Sequence, residues 1–362
     1  MNMAPAIHAC SRRSVAHAAA DRPLQAKAAR VRLVLSPGAP GLRQTTSRTS
    51  PRDRLSGEIG EAATGPSGPR CSLSFVLALF LVAGPVCAQT KIHALTEVID
   101  GHSVGGVTID LVGNLYIADF GDLVWKITPD GERRVFASGL YGASGNAIDH
   151  RGNLLQSSCY GNTITRIDRN GHAVPFADSG LNCPIGIAVN KRTHDAYVAN
   201  CSGNSVVKVA TDGTVTAFAK SDLFNCPNGV AFDREDNLYV VNFRDNMMLK
   251  IDAQGAVAPF AKVSKRGLGH LCLGKDRFYV TASASHEIYE VTLDGKPKRI
   301  LGNGQRGVVD GAIEEARLSF PNGVACHPWT GRLFINEFVN DTVSSPPRAV
   351  IREIVLDASQ PP

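Results

Sequence analysis

Oxygen-bearing side chains recur at matched places in this chain. Asp119, Asn200, Asn242 and Glu337 each close a short apolar run, in "NLYIAD", "DAYVAN", "NLYVVN" and "RLFINE". Asn228 and Asn322 each stand directly before a Gly, in "CPNGVAFD" and "FPNGVACH". Carboxylates together with carboxamides make an all-oxygen donor set, which suits a hard divalent cation such as calcium. A cation so held polarises a carbonyl and acidifies its bound water. Asp119, Asn228 and Glu337 are therefore candidate metal ligands, and Asp119 and Glu337 are candidate catalytic carboxylates. The same amides suit a hydroxylated molecule equally well, so Asn200, Asn242 and Asn322, with His270, are candidate substrate-binding groups. Against both readings stands the ordinary structural use of Asn and Asp, which cap strand ends and satisfy turn backbones.

The repeat in which they sit offers a way to bring residues so far apart in sequence together. Six units open on a Gly: "GVTIDLVGNLYIAD" at Gly106, "GNAIDHRGNLLQSS" at Gly145, "GIAVNKRTHDAYVAN" at Gly186, "GVAFDREDNLYVVN" at Gly229, "GHLCLGKDRFYVTA" at Gly269 and "GVACHPWTGRLFINE" at Gly323. Four intervals run from 39 to 43 residues and the last is 54, which marks an insertion rather than a lost period. Each unit reads as four strands. A small apolar strand turns back into a second, and a third alternates apolar and polar residues, as in "ITRID" and "VVKVA". An Asp-Gly-type turn such as "PDGE" or "TDGT" then leads to a fourth. The alternation excludes a helical solenoid. Four-stranded units of this kind bury both faces when stacked radially, so the expected fold is an all-β, six-bladed β-propeller of antiparallel blades. The last unit ends at "AVIREIVLD" without a fourth strand, and "KIHALTEVI" near residue 91 is available to complete it and close the ring.

Propeller geometry places the start of each first strand and the end of each second strand at one mouth of the central channel. The starts read Gly105, Ser144, Ile185, Asn228, Leu268 and Asn322; the ends read Asp119, Ser158, Asn200, Asn242, Ala282 and Glu337. His270, one residue past Gly269, aligns with Val107, Ile187, Val230 and Val324, so a polar side chain there is unusual. It is read as a structural histidine or as a ligand. His102 and His270 without a third partner are little basis for zinc. His286 stands where other blades carry the turn-formers Asn162, Asn204 and Asn246 and is read as replacing one. No nucleophile elbow, phosphate-cradling Gly loop or Cys/His catalytic arrangement is present; "GNGQRG" is a loop.

The pattern P-x-G-V-A-x-D followed by G-N-L-Y-V-A-D resembles the NHL repeat. It also resembles the senescence-marker-protein/gluconolactonase-like (regucalcin-type) propellers, over about residues 91–357. That resemblance implies a six-bladed disc and, for its lactonase members, a divalent metal held by a Glu opening the first blade, an Asn in a later opening and an Asp opening the next. Asn228 matches the Asn. The Asp position falls on Leu268, and "DGHSVGG" supplies no Glu beside the Gly. Two functions follow as expectations. One is a metal-assisted hydrolase of a small lactone or ester at the channel mouth. The other is a non-catalytic NHL-type scaffold binding a sugar, peptide or protein.

Export is read from residues 71–88, "CSLSFVLALFLVAGPVCA", an apolar run after Arg70 with small residues before Gln89, in the manner of a secretory signal peptide. Residues 1–70 are then a disordered leader or a mis-assigned start, and residues 89–362 are the propeller. The formal charge of +5 resides in that leader, which holds 11 Lys/Arg against 4 Asp/Glu. The remainder is close to balance, which argues against a nucleic-acid partner. The expected product is a secreted or periplasmic monomer, off the membrane once the signal is cleaved, with a small-molecule or peptide ligand. Six of the nine cysteines lie beyond the signal. Cys159 and Cys201 follow second strands, and Cys183 and Cys226 precede first strands, so the repeat predicts disulfides Cys159–Cys183 and Cys201–Cys226. Cys183–Cys201 is the alternative. Cys272 and Cys326 occupy one first-strand position in neighbouring blades and are read as separate buried thiols.

Overall fold

The computed structural model describes residues 91–100 (backbone only), 104–265, 267–311, 314–339 and 348–356. The leader and signal segments lie outside these residues, as does His102. Six four-stranded antiparallel sheets make the described part. Blade 1 runs through Val107–Ile109, Leu115–Ala118, Val124–Ile127 and Arg133–Ala137. Blade 2 has Ala143–Ile148, Leu154–Ser158, Thr163–Ile167 and Ala173–Ala177. Blade 3 has Pro184–Val189, Ala196–Asn200, Ser205–Val209 and Val215–Lys220. Blade 4 has Pro227–Phe232, Leu238–Asn242, Met247–Ile251 and Val257–Lys262. Blade 5 has Leu271–Leu273, Arg277–Ala282, Glu287–Thr292 and Pro297–Leu301. Blade 6 takes Pro321–Cys326, Arg332–Val339 and Arg348–Val355, with Lys91–Asp100 antiparallel along its outer edge. Among the described residues no helix is long and apolar enough to cross a membrane.

Period-2 alternation sends successive side chains to opposite faces of each blade, so every joint between neighbours receives apolar residues from both. Val240, Leu249 and Ile251 of blade 4 meet Ala199, Val206 and Ala219 of blade 3, for example. The joint between blades 6 and 1 is filled in the same way, by Phe334, Ala349 and Ile351 against Val107, Ile117 and Ile127. The disc is therefore closed by packing among described residues. Tyr239 shows how tightly a joint fills: it is 2% exposed, with the Phe260 and Phe278 ring centroids 4.8 and 4.5 Å away.

Around the axis the innermost strands touch backbone to backbone. A Cβ built on Gly106 would lie 2.9 Å from Gly145 Cα, and one on Gly145 3.0 Å from Gly186 Cα. One on Gly186 would lie 3.0 Å from Gly229 Cα. That spacing disfavours a side chain, which is why the repeat favours Gly there.

Candidate functional site

The ring of glycines corrects one register. A Cβ on Gly229 would lie 2.6 Å from Cα of His270, not of Gly269. The ring hydrogen bonds agree. Gly106 N–H donates to Ser144 O (2.7 Å), Gly229 N–H to Gly269 O (3.2 Å) and His270 N–H to Asn322 O (2.9 Å). Strand pairing agrees as well, since Cys272 lies opposite Tyr279 as Ala231 lies opposite Tyr239. His270 thus occupies the ring position that five sister blades give to Gly, and Gly269, not Leu268, is the equivalent of Asn228.

The same slip corrects the cysteine reading. Cys272 is bonded to Cys326. One residue of shift in a strand moves a side chain to the other face. Cys272 is equivalent to Ala231 and Ala325 and faces the following blade; Cys326 is one step further along and faces the preceding one. They therefore meet across the joint between blades 5 and 6 instead of lying buried apart. Cys159–Cys183 and Cys201–Cys226, the two pairs the repeat predicts, are also bonded, and tie blade 2 to 3 and blade 3 to 4 at the mouth.

The polar strand ends expected to form a ligand set are engaged with the chain's own backbone. Asn200 Oδ1 accepts Asn182 N–H (3.2 Å) while its Nδ2 donates to Gly180 O (3.1 Å). Asn242 does the same one blade on, with Asn225 N–H (3.1 Å) and Leu223 O (2.9 Å). Glu337 repeats the motif, its Oε2 accepting Ser319 N–H at 2.7 Å. All three clamp the loop that enters their own blade. The other Glu337 oxygen takes the Arg352 guanidinium at 2.9 Å. Arg352, itself fully buried, also donates to Arg317 O (3.0 Å), Val309 O (2.8 Å) and Asp310 Oδ1. This network holds the spacer strap at Val309, Asp310 and Arg317 against blade 6. Burial lifts the Glu337 carboxyl to about 7, while Arg352 and the Ser319 amide pull it down. Asp119 Oδ1 accepts Gly121 N–H (2.7 Å) and Leu123 N–H (3.1 Å) and so closes a turn; burial raises its pKa against those two bonds.

The Asn residues before the ring are inter-blade ties. Asn228 Nδ2 donates to Leu268 O at 3.2 Å, and Asn322 Nδ2 donates to the equivalent carbonyl of blade 1, Val104 O, at 2.7 Å. A divalent metal as expected from Asp119, Asn228 and Glu337 does not fit this arrangement. Both Glu337 oxygens and one Asp119 oxygen are committed, and among the described residues no three His, Cys, Asp or Glu side chains form a metal-holding group. Buried atoms without a hydrogen-bond partner here include Asn228 Oδ1, His270 Nε2, Ser158 Oγ at a second-strand end and Arg352 Nε. Burial holds the His270 imidazole down to about 4, so it is neutral at physiological pH.

His286 takes the turn-former's role. Its backbone is left-handed (φ 58) like Asn162 (φ 52) and Asn204 (φ 44). Its Nδ1 accepts Phe320 N–H (3.2 Å), just as the Asn oxygens accept Cys183 N–H (2.7 Å) and Cys226 N–H (2.9 Å). Three further residues went unread in the sequence. Ser157 Oγ donates to Ile185 O, Thr281 Oγ1 to Asn322 O (2.6 Å) and Asn336 Nδ2 to Gly105 O (3.0 Å), each carbonyl belonging to the next blade. The signal was a polar residue in an otherwise apolar second strand. Arg352 gave a similar signal inside "AVIREIV".

Solved structures share this architecture at low identity. A virginiamycin B lyase from Staphylococcus aureus is 13% identical, with a TM-score of 0.53 over 74% of this chain and 100% of that one. A gluconolactonase from Xanthomonas campestris is 17% identical, with 0.55 over 75% and 96%. An auxiliary nutrient binding protein from Bacteroides ovatus is 13% identical, with 0.61 over 75% and 77%. The chain has a β-propeller fold. No protein-family model matches the sequence, and no curated protein matches it. At these identities the likeness speaks to the fold, and function must be argued from the side chains at the mouth.

Proposed function

We propose that the chain is an exported, non-catalytic propeller that binds a small molecule or peptide at the mouth of its axis. One observation carries this over the hydrolase reading: Glu337, the mouth carboxylate with the strongest claim to catalysis, has both oxygens engaged, by Arg352 and by Ser319 N–H. A carboxylate locked in a buried ion pair is unavailable as a base or as a metal ligand. Among the fold neighbours is an auxiliary nutrient binding protein from Bacteroides ovatus. Three disulfides and the signal-like segment support export.

The test is dialysis of the mature protein against chelator, then thermal unfolding with calcium, magnesium, manganese or zinc restored, alongside assays with simple lactones and esters. The expected result is no shift with any ion and no turnover. A metal-dependent rise in the midpoint that Asn228→Ala removes, together with hydrolysis, would overturn the proposal in favour of the metal-assisted hydrolase.

A further inference from the structure

Blade 3 differs from its sisters at the rim of the disc, away from the mouth. Its outermost strand, Val215–Lys220, pairs on one side only, with Ser205–Val209. Thr214 O accepts Ala210 N–H at 2.8 Å, and Lys208 lies opposite Thr216. Antiparallel alternation therefore turns the N–H and C=O groups of Val215 and Ala217 outward, away from the sheet. Such an edge is a template for a further strand unless Pro or charge blocks it. The sister edges are blocked. At the place that Ala217 takes opposite Val207, blades 2 and 4 carry Pro175 and Pro259, and blade 5 carries Arg299. Blade 1 has Val135 there, beside exposed Arg133 and Arg134. From Thr214 to Ala219, blade 3 has neither Pro nor charge.

The same position opens a cleft. Ala217 is smaller than Val135, Pro175, Pro259 or Arg299, and Gly180, in the loop that enters blade 3, lies against Val215. A Cβ built on Gly180 would come 3.3 Å from Val215 Cγ1. Small residues at both places leave a cleft of about 300 Å³, walled by Gly180, Val207, Val215 and Ala217. Lys220 is the one charged residue lining it.

We infer that this rim docks an extended peptide segment of a partner protein, added to blade 3 as a fifth strand. A branched apolar side chain of the segment sits in the cleft, and a carboxylate two residues away on the same face meets Lys220. Main-chain bonds to Val215 and Ala217 supply affinity, and the cleft supplies selectivity. Lys220 favours an acidic over a basic neighbour for the anchor. A second copy of this chain fits poorly. Its matching edge is 6 residues long, which at about 3.3 Å per residue spans about 20 Å and buries too little for a stable dimer.

The probe is the acetylated and amidated peptide TVTLTETV, with TVTATETV and TVTLTKTV as its comparisons. Calorimetry measures affinity, and amide hydrogen exchange locates the contact. TVTLTETV is expected to bind, to slow exchange at Val215 and Ala217, and to bind more tightly than either comparison peptide. Ala217→Pro carries the residue that blades 2 and 4 already hold at this place, so it keeps the fold; it should weaken binding by about tenfold. Lys220→Glu should reverse the preference between TVTLTETV and TVTLTKTV. Failure of TVTLTETV to bind, affinity unchanged in Ala217→Pro, or protection elsewhere on the molecule would overturn the docking surface. A doubled mass in light scattering that Ala217→Pro abolishes would assign the edge to self-association and overturn it equally.

Discussion

Between blades 2 and 3, and between blades 3 and 4, the mouth is held by Cys159–Cys183 and Cys201–Cys226. Between blades 6 and 1 the same task falls to amides, with Asn322 reaching Val104 O and Asn336 reaching Gly105 O. On that side a buried ion pair also pins the strap to blade 6. The covalent side is insensitive to pH and salt but depends on an oxidising surrounding; the polar side needs every buried group matched. The comparison teaches that one repeat closes its joints by whichever chemistry its local residues offer, and that polar residues at a propeller mouth are not by themselves a site.

The largest expected effect comes from the polar side. Arg352→Met leaves Glu337 buried without its cation and should destabilise by about 3–5 kcal/mol in urea titration. Adding Glu337→Gln, whose oxygen still accepts Ser319 N–H, should recover a large part. An unchanged midpoint for the single variant would show that the ion pair does not hold the strap.

Next is the covalent side. Replacing Cys201 and Cys226 by Ala removes a crosslink of sequence separation 25, for an expected loss of about 3 kcal/mol. If thermal unfolding of that variant coincides with the parent, the disulfide is dispensable and the contrast between the two sides dissolves. Asn322→Ala follows, at about 1–3 kcal/mol from an unpartnered Val104 carbonyl. Hydrogen exchange sharpens this one, because the added exchange should concentrate in blades 6 and 1. Protection lost evenly round the ring would refute a local tie.

The smallest effect at neutral pH belongs to His270→Gly, which should leave stability nearly unchanged there. The folded imidazole titrates near 4 and the unfolded one near 6.5. Between those values the unfolded chain binds more protons, so the parent loses stability as pH falls from about 6.5 toward 4. The glycine variant should lack that part of the loss. Parallel stability profiles for the two proteins across this window would show that His270 is not held neutral.

Much of this was legible from the repeat. Strand order, the turn role of His286 and two disulfides follow from aligning the units, because period-2 alternation and glycine at close contacts are local and strong signals. Blade 5 was misregistered because "RGLGHLCL" offers two glycines, and the one chosen was not the ring residue. Counting back from Tyr279, matched to Tyr239, also lands on Gly269, because the turn between the first two strands is one residue shorter in blade 5 (Leu273 to Phe278) than in blade 4 (Phe232 to Leu238). The backbone partners of Asn200, Asn242 and Glu337 were not legible for a different reason. Side-chain type at a strand end does not say whether the nearest partner is a ligand or the chain's own amide, and the loop geometry that decides it is not written in the spacing.

The bond between Cys272 and Cys326 exists only because the two cysteines stand at successive, non-equivalent strand positions in adjacent blades. A disc assembled from six verbatim copies of any single blade would turn every such thiol the same way, and none could reach its neighbour. Imperfect duplication is thus what made this crosslink attainable, and engineers who regularise the repeat should expect to lose it.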